Sequence, residues 1–388
     1  LTSMLSDKIN GQPILKAFSK EHEELDRFDT VSSDLYEADL KLNNSEATLF
    51  PVLTILLSVL AVVMLTFGGL MVANGEMTVG TLLNFTVYLT MLVGPLDFLS
   101  WVSNWWARCV DSAQRVFEIV DAKPEIVEKE HPIEIGEVRG DIEISKLEFE
   151  YEPAQPVIKN LDLKVNAGQM LGIVGKTGAG KTTIANLIAR LYDPKAGCVK
   201  IDGVDVRDLP LDTIRKNVGL VSQDIYLFIG TIADNIRYAK PDATMDEIIA
   251  AAKAASAHDF IMKLPDAYET RVGAGGHDLS GGERQRISIA RTIIQNPRIL
   301  ILDEATAAMD TETERNIQYS LTKLMQGRTT VAIAHRLSTL RDADMLAVIN
   351  EGEVVEYGSY AELLKKRGEF YKLYKIQAEA LKAVGIID

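Results

Sequence analysis

The first third of the chain divides into a polar stretch and two long apolar stretches. Residues 6–41 are mostly polar and are broken once, at residues 11–13, which predicts exposed helices with a turn between them. Residues 47–75 and 77–96 contain no Asp, Glu, Lys or Arg. Because about 20 apolar residues cross a bilayer as a helix, we predict membrane helices over about 48–73 and 78–103. Two long core helices of a soluble protein are the weaker alternative for two successive uncharged runs.

The charges around the apolar runs predict their orientation. The connector 73–78 has no Lys or Arg, whereas basic residues lie on both outer sides: Lys16, Lys20, Lys41, Arg108, Arg115 and Lys123. Basic flanks stay in the cytoplasm, so the connector is expected outside. In a continuous helix Asp97 would lie about 30 Å along the axis from Met77, which places it near the inner leaflet of the membrane. A pathway-lining acid and a solvated interfacial carboxylate both fit that position.

Beyond residue 125 the pattern changes to short apolar strands separated by helices. Residues 126–140 are charged and contain Pro132, so they are predicted to form a linker. Strands are predicted at Asp141–Tyr151, Val157–Val165, Met170–Val174, Val218–Val221, Ile299–Leu302, Thr330–Ala334, Met345–Asn350 and Glu353–Tyr357. Strands that alternate with helices are typical of a largely parallel sheet. The prediction is therefore an α/β domain over 141–388 behind an all-α membrane part over 1–125.

The strongest chemical pattern lies between the strand at 170–174 and the helix after it. The stretch fits Gly-x4-Gly-Lys-[Ser/Thr], a loop that wraps nucleotide phosphates. Its residues are Gly175, Lys176, Thr177, Gly178, Ala179, Gly180, Lys181, Thr182 and Thr183. Lys181 is expected to reach the β- and γ-phosphates, and the Thr182 hydroxyl to bind Mg²⁺. A plain glycine-rich turn is disfavoured because Lys-Thr follows the last glycine directly.

Two further strands end in polar residues suited to phosphate chemistry. Asp303 and Glu304 follow one buried strand, and His335 follows another. In an α/β sheet the carboxyl ends of the strands face the ligand crevice. We expect Asp303 to hold Mg²⁺ and Glu304 to orient or deprotonate the attacking water. The alternative for Asp303 and Glu304 is that they are ordinary acidic loop residues, and the alternative for His335 is that it is a polar residue capping the end of its strand.

Ser280 and Glu283 have the spacing of a capping box at the start of a helix. The box is a complete structural explanation for these two residues. Gly281 and Gly282, however, lie in the same turn, where each costs about 1 kcal/mol relative to Ala. That cost is understandable if a ligand approaches the backbone there.

In combination these motifs resemble the nucleotide-binding domain of ATP-binding cassette (ABC) transporters, in the family's order. The resemblance assigns the Walker A loop to 175–182 and the signature to Leu279, Ser280, Gly281, Gly282 and Glu283. It implies that Tyr151 stacks on adenine, that Asp310 belongs to the D-loop, and that Mg²⁺ is bound by Thr182, Gln223 and Asp303. The catalytic residues it implies are Glu304, His335 and the Q-loop residue Gln223.

The membrane part resembles the same family. Residues 48–121 are similar to the last two membrane helices of an exporter subunit, and residues 8–18 to the loop that docks on a partner's nucleotide-binding domain. The resemblance implies an α/β P-loop NTPase behind an all-α transmembrane region, as an N-terminally truncated exporter subunit with ATPase activity. Its cofactors would be ATP and Mg²⁺. Its partners would be a second such subunit, as a homodimer or heterodimer, the lipid bilayer and an unidentified transported substrate.

The sequence departs from the family's usual pattern at a few positions, among them two in the signature and in a nearby loop, and Ala307 and Met309 of the D-loop, which leave Asp310 in place. Glu283 stands where the signature often has Gln, and Ala274 stands where exporters usually have Glu in a loop thought to touch the coupling helices. The resemblance further implies an integral protein of the cell membrane with a cytoplasmic nucleotide-binding domain. A subunit that hydrolyses ATP to gate or regulate, without carrying cargo, stays open.

Composition changes this picture little. The net charge of −14 argues against a nucleic-acid partner, and with the apolar runs it argues against a soluble ABC ATPase of DNA repair or translation. The two cysteines, Cys109 and Cys198, are far apart and have no metal or redox spacing.

Overall fold

The computed structural model describes residues 1–273, 276–303, 311–333 and 337–383. The chain forms two compact units, Leu1–Ala122 and Lys123–Asp388. The division therefore falls at 122, close to the expected end of the membrane part at 125.

The first unit consists of helices α1 (Thr2–Asn10), α2 (Gln12–Ala17), α3 (Glu21–Ala73) and α4 (Val79–Val120). Pro13 lies in the first turn of α2, where its missing N–H has no helical partner to lose. The predicted break at 11–13 is thus a boundary between two short helices. Helix α3 begins in the polar stretch and continues into the apolar one: residues 21–50 contain neither Gly nor Pro, and Pro51 lies inside the helix without ending it. The membrane helix expected over 48–73 is its second half.

The apolar part of α3 has the length and composition of a membrane span. Among the described residues, Thr54–Ala73 is the helical segment that is long and apolar enough to cross a bilayer, with a mean hydropathy of 2.6. Val79–Leu92 in α4 is a shorter apolar segment, so the second span over 78–103 stays a prediction. A Cβ on Gly68 would lie 2.4 Å from Leu82 Cδ1, so this glycine lets α3 and α4 approach closely.

The second unit contains twelve strands within its described residues. They are β1 (Ile142–Glu150), β2 (Pro156–Val165), β3 (Met170–Gly175), β4 (Ala196–Ile201), β5 (Val204–Asp205), β6 (Val218–Val221), β7 (Gly230–Thr231), β8 (Arg271–Val272), β9 (Ile299–Asp303), β10 (Thr329–Ile333), β11 (Met345–Asn350) and β12 (Glu353–Gly358). The strands predicted from the sequence all lie within one or two residues of these bounds.

The described helices of this unit follow the phosphate loop and the later strands. They are α5 (Lys181–Ile188), α6 (Leu211–Asn217), α7 (Ile232–Arg237), α8 (Met245–Ala254), α9 (His258–Ile261), α10 (Gly281–Gln295), α11 (Thr311–Met325), α12 (Tyr360–Lys366) and α13 (Glu369–Ala383). Four of the described helices begin with a complete capping box: α7, α8, α10 and α12.

Two sheets organise the second unit. The larger has the order β12-β11-β3-β10-β9-β6 and is parallel except for β12, and the smaller is an antiparallel sheet of order β2-β1-β4-β5. Alternate residues of β9 enter two different hydrophobic clusters: Leu300 and Leu302 one, Ile299 and Ile301 the other. The large sheet is therefore buried on both faces, as parallel sheets usually are.

Candidate functional site

The phosphate loop joins β3 to α5 and leaves no room for side chains at two of its glycines, Gly175 and Gly180. A Cβ on Gly175 would lie 2.3 Å from the carbonyl oxygen of Ile349. Gly180 has a φ of +99°, and a Cβ there would lie 2.7 Å from Ile158 Cδ1. Both positions therefore require glycine, and the loop wraps tightly over the start of α5. Its backbone N–H groups and the positive end of the helix dipole then point to the place where an anion would bind.

Lys181, the first residue of α5, is only 6% exposed. Its Nζ donates hydrogen bonds of 3.0 Å to the carbonyl oxygens of Gly175 and Lys176. The buried ammonium group of Lys181 is thus held inside the phosphate loop by two backbone carbonyl groups of the same loop. Thr182 beside it is exposed, whereas Thr183 is buried. The hydroxyl expected to bind Mg²⁺ is accordingly the accessible one of the pair.

Adjacent parallel strands bring the other predicted residues to the same edge of the sheet. Strand β9 ends at Asp303, which is 4% exposed and pairs in register with Ile333 at the end of β10. Ile333 pairs in turn with Ile173 of β3, just before the phosphate loop. Strand β6 ends beside β9, and the exposed Gln223 follows it by two residues. Asp303, Gln223 and the loop therefore meet at the carboxyl ends of the strands.

Six residues singled out in the sequence lie outside the described residues: Glu304, Asp310, His335, Ala274, Ala307 and Met309. Their roles stay predictions. Glu304 directly follows Asp303 in the chain, and His335 follows Ile333 by two residues.

Tyr151 lies next to the phosphate-loop helix. Its hydroxyl donates a hydrogen bond of 3.2 Å to the Thr183 hydroxyl oxygen. Its ring meets Tyr192 edge-on at 5.1 Å and Phe149 edge-on at 4.8 Å. Since the side chain is 48% exposed, a large part of the ring stays accessible. The position suits stacking on a base next to bound phosphates. Nothing in the spacing of the sequence singled out Tyr192 as the residue that orients Tyr151.

The signature begins helix α10 with the predicted capping box. The Ser280 hydroxyl accepts from the Glu283 N–H at 3.3 Å, and Glu283 Oε2 accepts from the Ser280 N–H at 2.8 Å. A Cβ added to Gly281 would have no heavy atom of the described residues within 4 Å. The contacts of the described part of the chain therefore do not explain why position 281 is glycine. The open space fits the approach of something from outside the chain.

Helix α10 is fastened to the segment that follows Gln223. The Arg291 Nε donates to the Asn235 carbonyl at 2.9 Å, and Nη1 donates to the Tyr226 carbonyl at 3.3 Å. The guanidinium also lies over the rings of Phe228 and Tyr238, at 5.8 and 5.7 Å from the ring centres. Burial lowers the pKa of Arg291, but an arginine stays charged at neutral pH. These contacts were not predicted, because they join residues more than fifty positions apart.

Comparison with known proteins agrees with these motifs over both units. A family model described as "ABC transporter" matches residues 158–307, and one described as "ABC transporter transmembrane region" matches residues 1–96. The chain belongs to the ABC transporter family. Membership implies that the second unit binds nucleotide and that the first unit belongs to a membrane protein.

Relatives match this ABC transporter chain along nearly its whole length. It is 44% identical over 377 residues to an ATP-dependent lipid A-core flippase of Syntrophus aciditrophicus, covering 97% of this chain and 63% of the flippase. It is 39% identical to a fatty acid ABC transporter ATP-binding/permease protein of Mycobacterium bovis, covering 96% and 59%. The chain thus spans about 63% of the flippase's length.

A solved structure has the same fold. The ATP-bound structure of a bacterial Atm1-family ABC exporter superimposes with a TM-score of 0.87 at 35% sequence identity, covering 97% of this chain and 66% of that one. The predicted fold class, a P-loop NTPase behind a helical transmembrane region, is confirmed.

A buried arginine supports the far end of the phosphate-loop helix, and no sequence motif predicts this role. Arg190 is 1% exposed and directly follows the C-cap of α5. Its Nη1 donates to the Val206 carbonyl at 2.9 Å, and its Nη2 to the Val127 carbonyl at 3.2 Å. Its Nε donates to Asp193 Oδ1 at 3.2 Å. The far end of α5 is therefore tied to neighbouring backbone by a single side chain.

Proposed function

We propose that this chain is the ATP-hydrolysing subunit of an exporter, in which nucleotide binding and hydrolysis drive outward transport. One observation carries the proposal. The phosphate loop, Asp303 and Gln223 meet at one sheet edge, in a chain that also contains the apolar helix Thr54–Ala73. A nucleotide site fused to a membrane helix is the combination that such a machine needs.

Each residue of the site has a role in this proposal. Tyr151 stacks on adenine, and the loop 175–183 surrounds the phosphates, with the Lys181 ammonium against their charge. The donor set for Mg²⁺ is a carboxylate, a hydroxyl and an amide oxygen, from Asp303, Thr182 and Gln223, and hard oxygen ligands suit this ion. Bound Mg²⁺ would neutralise phosphate charge.

In this proposal, the residues that catalyse hydrolysis closely follow strands β9 and β10 in the chain. Glu304 orients or deprotonates the attacking water, and His335 lies beside the γ-phosphate. General-base help of this kind is worth about 10²–10⁴-fold in rate.

Each site is completed by a partner subunit. Helix α10, which bears the signature, packs beside β6, and β6 is three strands from β3 in the sheet. Three strand spacings amount to about 14 Å. The strand beside the signature helix is thus separated from the strand that leads into the phosphate loop, which favours a signature that serves the nucleotide of a second subunit. We infer a head-to-tail pair, with Leu279–Glu283 and Asp310 of one subunit at the ATP of the other.

The subunit resides in the cell membrane with its nucleotide-binding domain in the cytoplasm. The segment 8–18 carries exposed apolar side chains at Ile9, Ile14 and Phe18, which suits docking on the partner's nucleotide-binding domain. The transported substrate is unidentified. The names of the flippase and fatty acid relatives favour lipid-like molecules as the first cargo to test.

Glu304→Gln tests the proposal. The change keeps the shape of the side chain and removes its basicity, so ATPase activity of the full chain in lipid nanodiscs should fall about 10²–10⁴-fold while ATP still binds. Lys181→Ala should lose ATP binding itself. Nucleotide-dependent dimers, measured by size in ATP and Mg²⁺, should persist in Glu304→Gln and be absent in Lys181→Ala. Near-normal turnover by Glu304→Gln would show that another group, most simply His335, carries the step. ATPase without transport of any cargo would favour a gating subunit.

A further inference from the structure

A cluster of three aromatic rings includes the residue that is expected to stack on adenine. Tyr151 directly follows β1, Phe149 lies two residues before it on that strand, and Tyr192 lies in the segment after α5. The ring centres of Tyr151 and Tyr192 are 5.1 Å apart with their planes at 90°, and those of Tyr151 and Phe149 are 4.8 Å apart at 89°. Such edge-to-face arrangements are favourable for aromatic rings. Tyr151 is therefore held by two rings that stand at right angles to its own.

These neighbouring rings determine the plane of the Tyr151 ring, which its hydrogen bond alone does not. The Tyr151 hydroxyl bonds to the Thr183 hydroxyl, but this bond lies at the tip of the ring. Rotation about the axis that joins the ring to its hydroxyl turns the ring without moving the hydroxyl oxygen, so the bond is compatible with many ring planes. Stacking needs one of them, because the base must meet the face of the ring. The edge-on contacts therefore select the plane.

The segment that carries Tyr192 is itself fixed on both sides. Before it, the buried Arg190 donates through Nε to Asp193 Oδ1 at 3.2 Å. After it, the backbone N–H of Lys195 donates to the carbonyl of Glu148 in β1 at 2.9 Å. Tyr192 therefore has a fixed position beside the end of β1, from which the next residue to leave the strand is Tyr151.

We propose that Tyr192 is a positioning residue for Tyr151 and so determines how strongly the site holds the base of the nucleotide. The proposal rests on the proposed function, in which Tyr151 stacks on adenine, and adds a residue to it. Tyr192 does not touch the nucleotide in this proposal, and Lys181 and the phosphate loop bind the other end of the ligand. A change at Tyr192 should therefore weaken the binding of a nucleotide and leave the binding of bare phosphates unchanged.

Three variants of the full chain in lipid nanodiscs test this role. Tyr192→Leu removes the ring and keeps an apolar side chain, because Tyr192 is partly buried against the hydrophobic core. Tyr192→Phe keeps the ring and removes the hydroxyl. Tyr319→Leu is the matched control, because Tyr319 is a tyrosine of α11 that is 61% exposed. Phe149 stays unchanged, because it is only 6% exposed and its removal would leave a cavity in the core.

The measurement compares a ligand that has a base with one that has none. A non-hydrolysable ATP analogue and inorganic tripolyphosphate are each titrated by calorimetry in Mg²⁺. We expect Tyr192→Leu to weaken binding of the analogue about 2- to 10-fold, the size of effect that follows from losing an edge-on aromatic pair, and to leave tripolyphosphate within about twofold of the wild type. Tyr192→Phe and Tyr319→Leu should keep both affinities.

Two results of these titrations would overturn the proposal. Equal weakening of the analogue and of tripolyphosphate by Tyr192→Leu would leave Tyr192 a purely structural role. An unchanged affinity for the analogue would show that Tyr151 needs no support from Tyr192. An unchanged tripolyphosphate affinity also shows that the phosphate loop of the variant is folded.

A double-mutant cycle with Tyr151→Ala identifies the residue through which Tyr192 acts. If Tyr192 positions Tyr151, Tyr192→Leu should cause no further loss of affinity for the analogue once Tyr151 is alanine. Equal losses in both backgrounds would refute the proposal while leaving the stacking of Tyr151 intact. Full affinity for the analogue in Tyr151→Ala alone would instead count against the stacking role of Tyr151 in the proposed function, on which the proposal rests.

Discussion

The Gly281→Ala substitution tests whether glycine at position 281 is required by the fold or by a ligand that approaches the backbone there. Among the described residues, a Cβ at position 281 would meet no heavy atom within 4 Å, and the φ of Gly281 is not in the left-handed region. Alanine therefore fits without strain and reduces the entropy of the unfolded chain, which stabilises by about 0.4–1 kcal/mol. For a unit of this size that corresponds to a melting temperature about 1–4 °C higher.

The same variant should lose ATPase activity. If the signature backbone contacts ATP across a dimer, a methyl group at 281 occupies the space that the nucleotide needs. The assay is thermal unfolding of the full chain in nanodiscs without nucleotide, followed by ATPase turnover of the same preparation. A rise in melting temperature with normal turnover would refute the idea that a ligand approaches Gly281. A fall in melting temperature would show that the space around it is not open.

Gly175→Ala is the matched control for this experiment. Its Cβ would lie 2.3 Å from the Ile349 carbonyl oxygen, which is backbone of the neighbouring strand and cannot swing away. This variant should unfold at a lower temperature, so the two glycine-to-alanine changes should shift stability in opposite directions. Shifts of the same sign would contradict the reasoning.

Three further predictions concern other parts of the chain. Tyr151→Ala should weaken ATP binding about tenfold or more, and Tyr151→Phe should keep it, because stacking on a base is worth about 1–3 kcal/mol; equal affinities by titration would exclude stacking. Arg190→Met should lower the melting temperature by about 5–10 °C, because it leaves buried carbonyls and Asp193 without their donor, whereas the exposed Lys216→Met should not; equal melting curves would refute this. Cysteines placed in 8–18 and near Gln223 should cross-link between subunits, and cross-links within one subunit alone would contradict the docking proposal.

The phosphate loop was predictable because its function imposes a local pattern. Gly175, Lys181 and Thr182 are neighbours in sequence, and the apolar strand before them is a strong signal by itself. Asp303 was predictable for a related reason, since a five-residue buried strand ending in an acid is visible without the fold. The ends of these strands then had to meet, because parallel strands of one sheet share an edge.

Contacts between distant positions were not predictable. Arg190 reads as an ordinary basic residue at a helix end, and only the fold brings the Val206 and Val127 carbonyls around it. Gln377 accepts a hydrogen bond from the Leu337 N–H, although it lies forty residues away on a helix whose sequence has no chemical motif. The length of α3 also exceeded the expectation, because residues 21–50 contain neither Gly nor Pro and Pro51 lies inside the helix without ending it.

Arg291 links helix α10 to the segment after Gln223. In the proposed function these two parts belong to different half-sites: Gln223 would bind Mg²⁺ beside this chain's own nucleotide, and Gly281 begins the helix that would meet the nucleotide of the partner. Arg291 lies on that same helix and donates to the Tyr226 carbonyl, three residues beyond Gln223. A displacement at Gln223 therefore has a short bonded route to α10.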